Sequence, residues 1–94
     1  LVVIGFGSHL EEVRRDVAAR GLDGYVTFAG ALYDDTLVAA LNSTDIGVSP
    51  DPKNPMNDIS TMNKVMEYMT LEKPVVQFDL TEGRVSAAEA ALYA

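Results

Sequence analysis

The sequence predicts an α/β chain, a parallel sheet with flanking helices. Three observations carry that reading. β-rich apolar runs alternate with amphipathic helical stretches four times. Most connections between them are short, as βαβ units require. The first run, "LVVIG" (Leu1 to Gly5), is apolar throughout, as a strand buried on both faces must be.

Each element has its own local reason. "GFGS" after the first strand reads as a tight turn. Ser8 then opens a helix, with Glu11 three positions on as a capping box. Val13, Val17 and Ala18 form the apolar stripe of that helix, and Gly21 ends it. "YVTFAG" (Tyr25 to Gly30) is the second strand. Asp34 or Asp35 caps a second helix through Leu37, Val38 and Leu41. "DIGVS" (Asp45 to Ser49) is the third strand, and Ser60 or Thr61 caps the third helix. "KPVVQFDL" (Lys73 to Leu80) is the fourth strand. Ser86 and Glu89 form a second capping box near "AAEAALYA", whose close reads as helix or strand.

Composition narrows the function. The chain has 94 residues, enough for one small domain or part of a larger one, and 48% hydrophobic residues, enough for a core. Without cysteine there is no disulfide framework and no thiolate metal site. A cytosolic protein fits this but is not required by it. Apolar runs reach only about five residues, against the ~20 of a membrane-spanning helix. A net charge of −7 without a basic tract argues against nucleic-acid or anionic-membrane surfaces. The chain opens directly in a strand and closes inside an element, so it reads as a segment of a longer protein.

Parallel sheets bind ligands beyond the carboxyl ends of their strands. Four segments lie there: "GFGS", "AGALYD", "SPDPKNPMNDIST" and "DLTEGR". The third is the one long loop, and such loops are usually functional. On the helix that follows, Met62, Val65, Met66 and Met69 share one face and read as core. Ser60, Lys64 and Glu67 share the other. With the free N–H groups of Ser60, Thr61 and Met62, that face is either an anion site suited to phosphate or an ordinary solvated surface.

Other constellations are weak. "GFGS" lacks the third glycine of a dinucleotide fingerprint, with Leu10 in its place, and reads as a plain turn. His9, the only histidine, falls in a first helical turn, where a charged imidazole opposes the helix dipole; it reads as a surface residue. No metal constellation is present, and nothing obvious activates Ser49 or Ser60 as a nucleophile. "YDD" (Tyr33 to Asp35) reads as helix capping.

Nearly the whole chain resembles the donor-binding, C-terminal half of family 4 (group 1) retaining glycosyltransferases of the GT-B fold. The likeness is to the bacterial branch that builds polysaccharides or glycolipids. Its most specific part runs from Asn57 to Asp79, with "STMNKVMEYM" followed by "KPVVQFDLTEGR". The resemblance implies a Rossmann-like domain that holds a nucleotide-diphosphate sugar, with a UDP- or GDP-sugar as donor substrate and no cofactor or metal. The family hallmark is two glutamates separated by seven residues. Glu67 matches the second, which holds the ribose hydroxyls. Ile59 stands at the first, and its neighbour Asp58 is the candidate contact to the donor sugar. Ser60, Thr61 and Met62 match the turn whose N–H groups meet the diphosphate. Gly30, Ala31 and Leu32 match the loop against the base.

Other expectations follow from the resemblance. The acceptor, a sugar or lipid-linked group, would be met by an N-terminal domain outside this segment, and the Arg and Lys that clamp the diphosphate would lie upstream, on this domain's first strand and the loop after it. The location would be cytoplasmic, with the inner membrane face as a candidate site for the full-length protein. In the family's strand order 3-2-1-4-5-6, "LVVIG" is the second strand and the first precedes Leu1. On that expectation the central first strand is missing, and "LVVIG" and "DIGVS" lack their shared neighbour. The segment would then pair with another chain, rearrange, or be a piece trimmed from a larger protein, and it would be inactive alone. Two other functions fit the residues: a regulatory nucleotide- or phosphate-binding module, and an inactive structural fragment that self-associates through exposed strand edges.

Overall fold

A computed structural model describes residues 1–94 and is α/β, with every strand pair parallel. The chain divides into two compact units, Leu1–Val38 and Ala39–Ala94. Strands β1 (Val2–Ile4) and β2 (Thr27–Gly30) form one sheet in the first unit. Strands β3 (Gly47–Ser49), β4 (Val75–Gln77) and β5 (Ala91–Tyr93) form another in the second, in the order β3-β4-β5. The order 3-2-1-4-5-6 prescribes these same neighbours on either side of its first strand.

In the first unit, helix α1 (Leu10–Ala19) joins the two strands. Its end is a full Schellman closure. The Leu22 N–H reaches the Val17 carbonyl at 2.9 Å and the Gly21 N–H reaches Ala18 at 3.0 Å, with Gly21 at φ +67°. Its start differs from expectation. His9 is the cap residue and no side chain caps the helix, because the Ser8 hydroxyl is taken up by His9 Nδ1 at 3.1 Å. The stripe of α1 is shallow: Val17 is half-buried and Val13 remains 46% exposed. Arg14 lies over the Phe28 ring of β2, 4.9 Å from its centroid.

The second unit holds the core. Helix α2 (Asp34–Asn42) starts in the first unit and ends in the second; its two aspartates fall in the first turn, which suits the helix dipole. Leu41 is its buried residue. Helix α3 (Asn63–Thr70) buries Val65 against Val75 and Ala87, with Met62, Tyr68, Met69 and Ala91 packed around them. The methionine stripe is therefore only partly inward. Met66 is 44% exposed, and Tyr68 takes the inward place instead. The Tyr68 ring lies directly on Gly47, where no side chain could fit between helix and strand.

The chain's last third departs furthest from expectation. Helix α4 spans Thr81–Ala87, so Ser86 lies inside it and caps nothing. Its hydroxyl donates to Glu82 Oε1 at 3.0 Å, while Glu89 belongs to a 3-10 turn over Ala88–Ala90. The final apolar run is a strand, with Ala91, Leu92 and Tyr93 opposite Val75, Val76 and Gln77. Gln77 is almost fully buried, and its Oε1 has no hydrogen-bond partner.

Candidate functional site

The carboxyl ends of β3 and β4 lead into two polar segments, and these carry most of the predicted site. The first is the loop from Pro50 to Met62. The Asn54 side-chain oxygen accepts the N–H groups of Met56 and Asn57, at 3.0 and 2.8 Å, and so folds the loop into a short 3-10 turn over Asn57–Ile59. Ser60 ends that turn. Its hydroxyl donates to the Met56 carbonyl at 2.6 Å and its N–H to Asn57 at 3.3 Å. The Ser60 hydroxyl therefore does not cap α3. Thr61 also turns away from the cap role, donating to Glu82 Oε1 at 2.8 Å. Met62 is the cap residue of α3, and no side chain caps it. The helix opens at Asn63, later than its sequence signals suggest. Its first amides, Asn63 and Lys64, have no carbonyl acceptor.

Asp58 is tied to the second segment. Its Oδ1 accepts the Thr81 N–H at 2.8 Å and its Oδ2 the Thr81 hydroxyl at 3.0 Å. Lys53 Nζ stands 3.3 Å from Oδ1. The Thr81 N–H, then its hydroxyl and the Lys53 ammonium, outweigh partial desolvation and hold the Asp58 carboxyl below the usual aspartate range. Asp58 thus supplies the first amide of α4 with its acceptor, across 23 positions of sequence. A carboxylate has about four acceptor positions, so one on Oδ2 stays available. Ile59, beside it, is 77% exposed.

Two further polar contacts join residues that the sequence pattern does not pair. Lys64 Nζ donates to both Asp51 oxygens, at 3.0 and 2.9 Å, and the Ser49 hydroxyl donates to Asp51 Oδ2 at 2.7 Å. Burial pushes the Asp51 carboxyl up, but Lys64 and Ser49 together hold it below its ordinary value. Arg84 Nη2 donates to Asp79 Oδ2 at 2.8 Å, its Nε binds the other oxygen, and its guanidinium lies 4.4 Å from the Tyr93 ring centroid. Arg84 lowers the Asp79 pKa and Asp79 raises that of Arg84. Periodicity could not announce either pair. Asp51 and Lys64 are 13 positions apart across a loop, and Asp79 and Arg84 lie on either side of the start of α4.

Glu67 stands apart from these groups. It lies one turn into α3, exposed, and its side chain makes no hydrogen bond or ion pair. Asp51, Asp58, Asp79 and Glu82 are all engaged within the chain. Gly30, Ala31 and Leu32 follow the end of β2 in the first unit. Gly30 takes φ +72° and its carbonyl accepts the Gly5 N–H at 2.8 Å; Ala31 is exposed and Leu32 half-buried. No cluster of three His, Cys, Asp or Glu side chains forms a metal cage, and no helix is long and apolar enough to cross a membrane.

No curated protein and no solved structure matches the chain. Residues 1–92 match the family described as Glycosyl transferases group 1. That match spans both units, the loop after β3 and helix α3 with Glu67. The chain therefore belongs to the group 1 glycosyl transferases, enzymes that move a sugar from a donor to an acceptor.

Proposed function

We propose that this chain is the donor-binding part of a retaining glycosyltransferase of the GT-B type, and that it holds a UDP- or GDP-sugar. The observation that carries the reading is Glu67: an exposed carboxylate on α3 without a hydrogen-bond or ion-pair partner, whereas Asp51, Asp58 and Asp79 of the two loop segments are engaged. A pair of ribose hydroxyls suits such a carboxylate, which offers acceptors only. The diphosphate lies along Ser60, Thr61 and Met62 and against the opening of α3. The N–H groups of Asn63 and Lys64, which open α3 and have no carbonyl acceptor, support this reading. Such dipoles stabilise the charge that grows on the departing diphosphate, the chief help an oxocarbenium-like transfer needs. Asp58 offers its remaining Oδ2 acceptor position to a donor-sugar hydroxyl.

The acceptor in this reading is a growing polysaccharide or glycolipid, met at the cytoplasmic side of the membrane by residues outside this chain. Calorimetric titration of the intact protein with UDP, GDP and inorganic phosphate tests the donor assignment. One of the two nucleoside diphosphates binds, and phosphate at equal concentration does not displace it. Displacement by phosphate would favour a simple phosphate-binding module. Binding of none of the three would remove the donor-binding reading.

A further inference from the structure

We infer that Asp51 and Lys64 are a positioning pair, whose contact fixes the opening turn of α3, and with it Glu67, against the carboxyl end of β3. The inference rests on the donor-binding reading above and adds to it two side chains that touch no part of the donor.

The geometry is that of a clamp. Lys64 Nζ reaches both Asp51 oxygens, at 3.0 and 2.9 Å. Asp51 is in turn held by Ser49, the last residue of β3, through a 2.7 Å hydrogen bond. Ser49 is only 1% exposed, so this anchor belongs to the core. The chain of contacts therefore runs from the buried end of a strand, through one carboxylate, to the second residue of a helix. Between the paired residues lies the loop that carries Asp58 and Ser60 to Met62, with Pro52 and Pro55 inside it. Closing that loop by a side-chain contact limits where α3 can begin.

The placement has an electrostatic oddity that the clamp explains. A cation in the first turn of a helix opposes the dipole. Lys64 sits there, yet its charge is drawn off toward Asp51, which leaves the helix opening facing a neutralised pair. Glu67 lies one turn further along, and Tyr68 beside it donates to the Val48 carbonyl of β3 at 3.4 Å. Glu67 and Asp51 both push the Tyr68 phenol upward, after burial as the main cause. The two acids thus flank the same helix turn, one occupied and one free.

The test uses the intact protein and titrates UDP and GDP calorimetrically. The variants are Asp51→Asn, Lys64→Met, Lys64→Arg and the double variant Asp51→Asn/Lys64→Met. For the nucleotide that wild type binds, the two single neutral variants each lose affinity about tenfold, and the double variant loses no more than either, as one shared contact requires. Lys64→Arg, which can grip a carboxylate with two N–H groups, returns to within about threefold of wild type. Amide exchange across residues 50–62 speeds up in Asp51→Asn without nucleotide. Tighter binding in Asp51→Asn would overturn the inference, since a released lysine would then be meeting the phosphates itself. Wild-type affinity in both single variants would also overturn it, and would leave the donor-binding reading standing. A wild type that binds neither nucleotide would defeat both. Should Lys64→Met fail to fold, Asp51→Asn and Lys64→Arg decide alone.

Discussion

Gly47→Ala tests how closely helix α3 is seated on the sheet. A Cβ built at Gly47 would lie far closer than van der Waals contact to both Cγ and Cδ2 of the Tyr68 ring. The Gly47 backbone is not in the left-handed region, so alanine is conformationally acceptable. That substitution alone would stabilise the chain by about 0.4–1 kcal/mol through the unfolded state. Overpacking costs about 1–3 kcal/mol, and it dominates here because a half-buried ring cannot swing clear as a flexible chain end would. The net expectation is a loss of about 1–2 kcal/mol, or roughly 4–16 °C in Tm for a chain of this size. Thermal unfolding followed by circular dichroism reads it. In a Tyr68→Ala background the Gly47→Ala penalty should disappear. An unchanged Tm for Gly47→Ala, or an equal penalty in both backgrounds, would refute the packing argument.

Val65, 1% exposed at the centre of the core, gives a second stability prediction. Val65→Ala should cost about 2–3 kcal/mol by lost burial and cavity formation, and an unmoved urea midpoint would contradict this. A third prediction concerns acid. Asp51, Asp58 and Asp79 all titrate below the ordinary 3.8 in the folded chain. Their depressed values favour the fold fully above 3.8, and that contribution is lost as pH falls through the lower folded values. Urea midpoints should therefore stay level from pH 7 to about 5 and fall steadily below about 4. A midpoint that holds to pH 2 would show that these contacts contribute nothing.

The α/β class was legible because it rests on periodicity, which survives in a single sequence. "LVVIG", "YVTFAG", "DIGVS" and "KPVVQFDL" each contain the strand expected of them, and Gly21 ends α1 as its position suggests. Helix starts were read poorly. Ser8, Ser60, Thr61 and Ser86 all carry hydroxyls suited to capping, but each found another partner: His9, the Met56 carbonyl, or Glu82. Local signals cannot weigh such competition when the winner lies 21 positions away, as Glu82 does from Thr61. The last strand was ambiguous because "ALY" is too short for its period to choose between helix and strand. In the site, Glu67 was legible from the helix pattern and the resemblance together. The Asp51–Lys64 and Asp58–Thr81 contacts were not, since both depend on the path of a long loop.

The central claim is that Glu67 meets the ribose of a nucleotide donor. The most direct measurement is calorimetric titration of the intact protein with UDP and GDP, wild type against Glu67→Ala. Loss of a charged hydrogen bond should weaken the bound nucleotide by about 1.5–3 kcal/mol, with the unfolding midpoint unchanged because the exposed Glu67 side chain makes no hydrogen bond or ion pair within the chain. Equal affinity in the two proteins, with the fold intact, would make Glu67 an ordinary solvated residue and contradict the account.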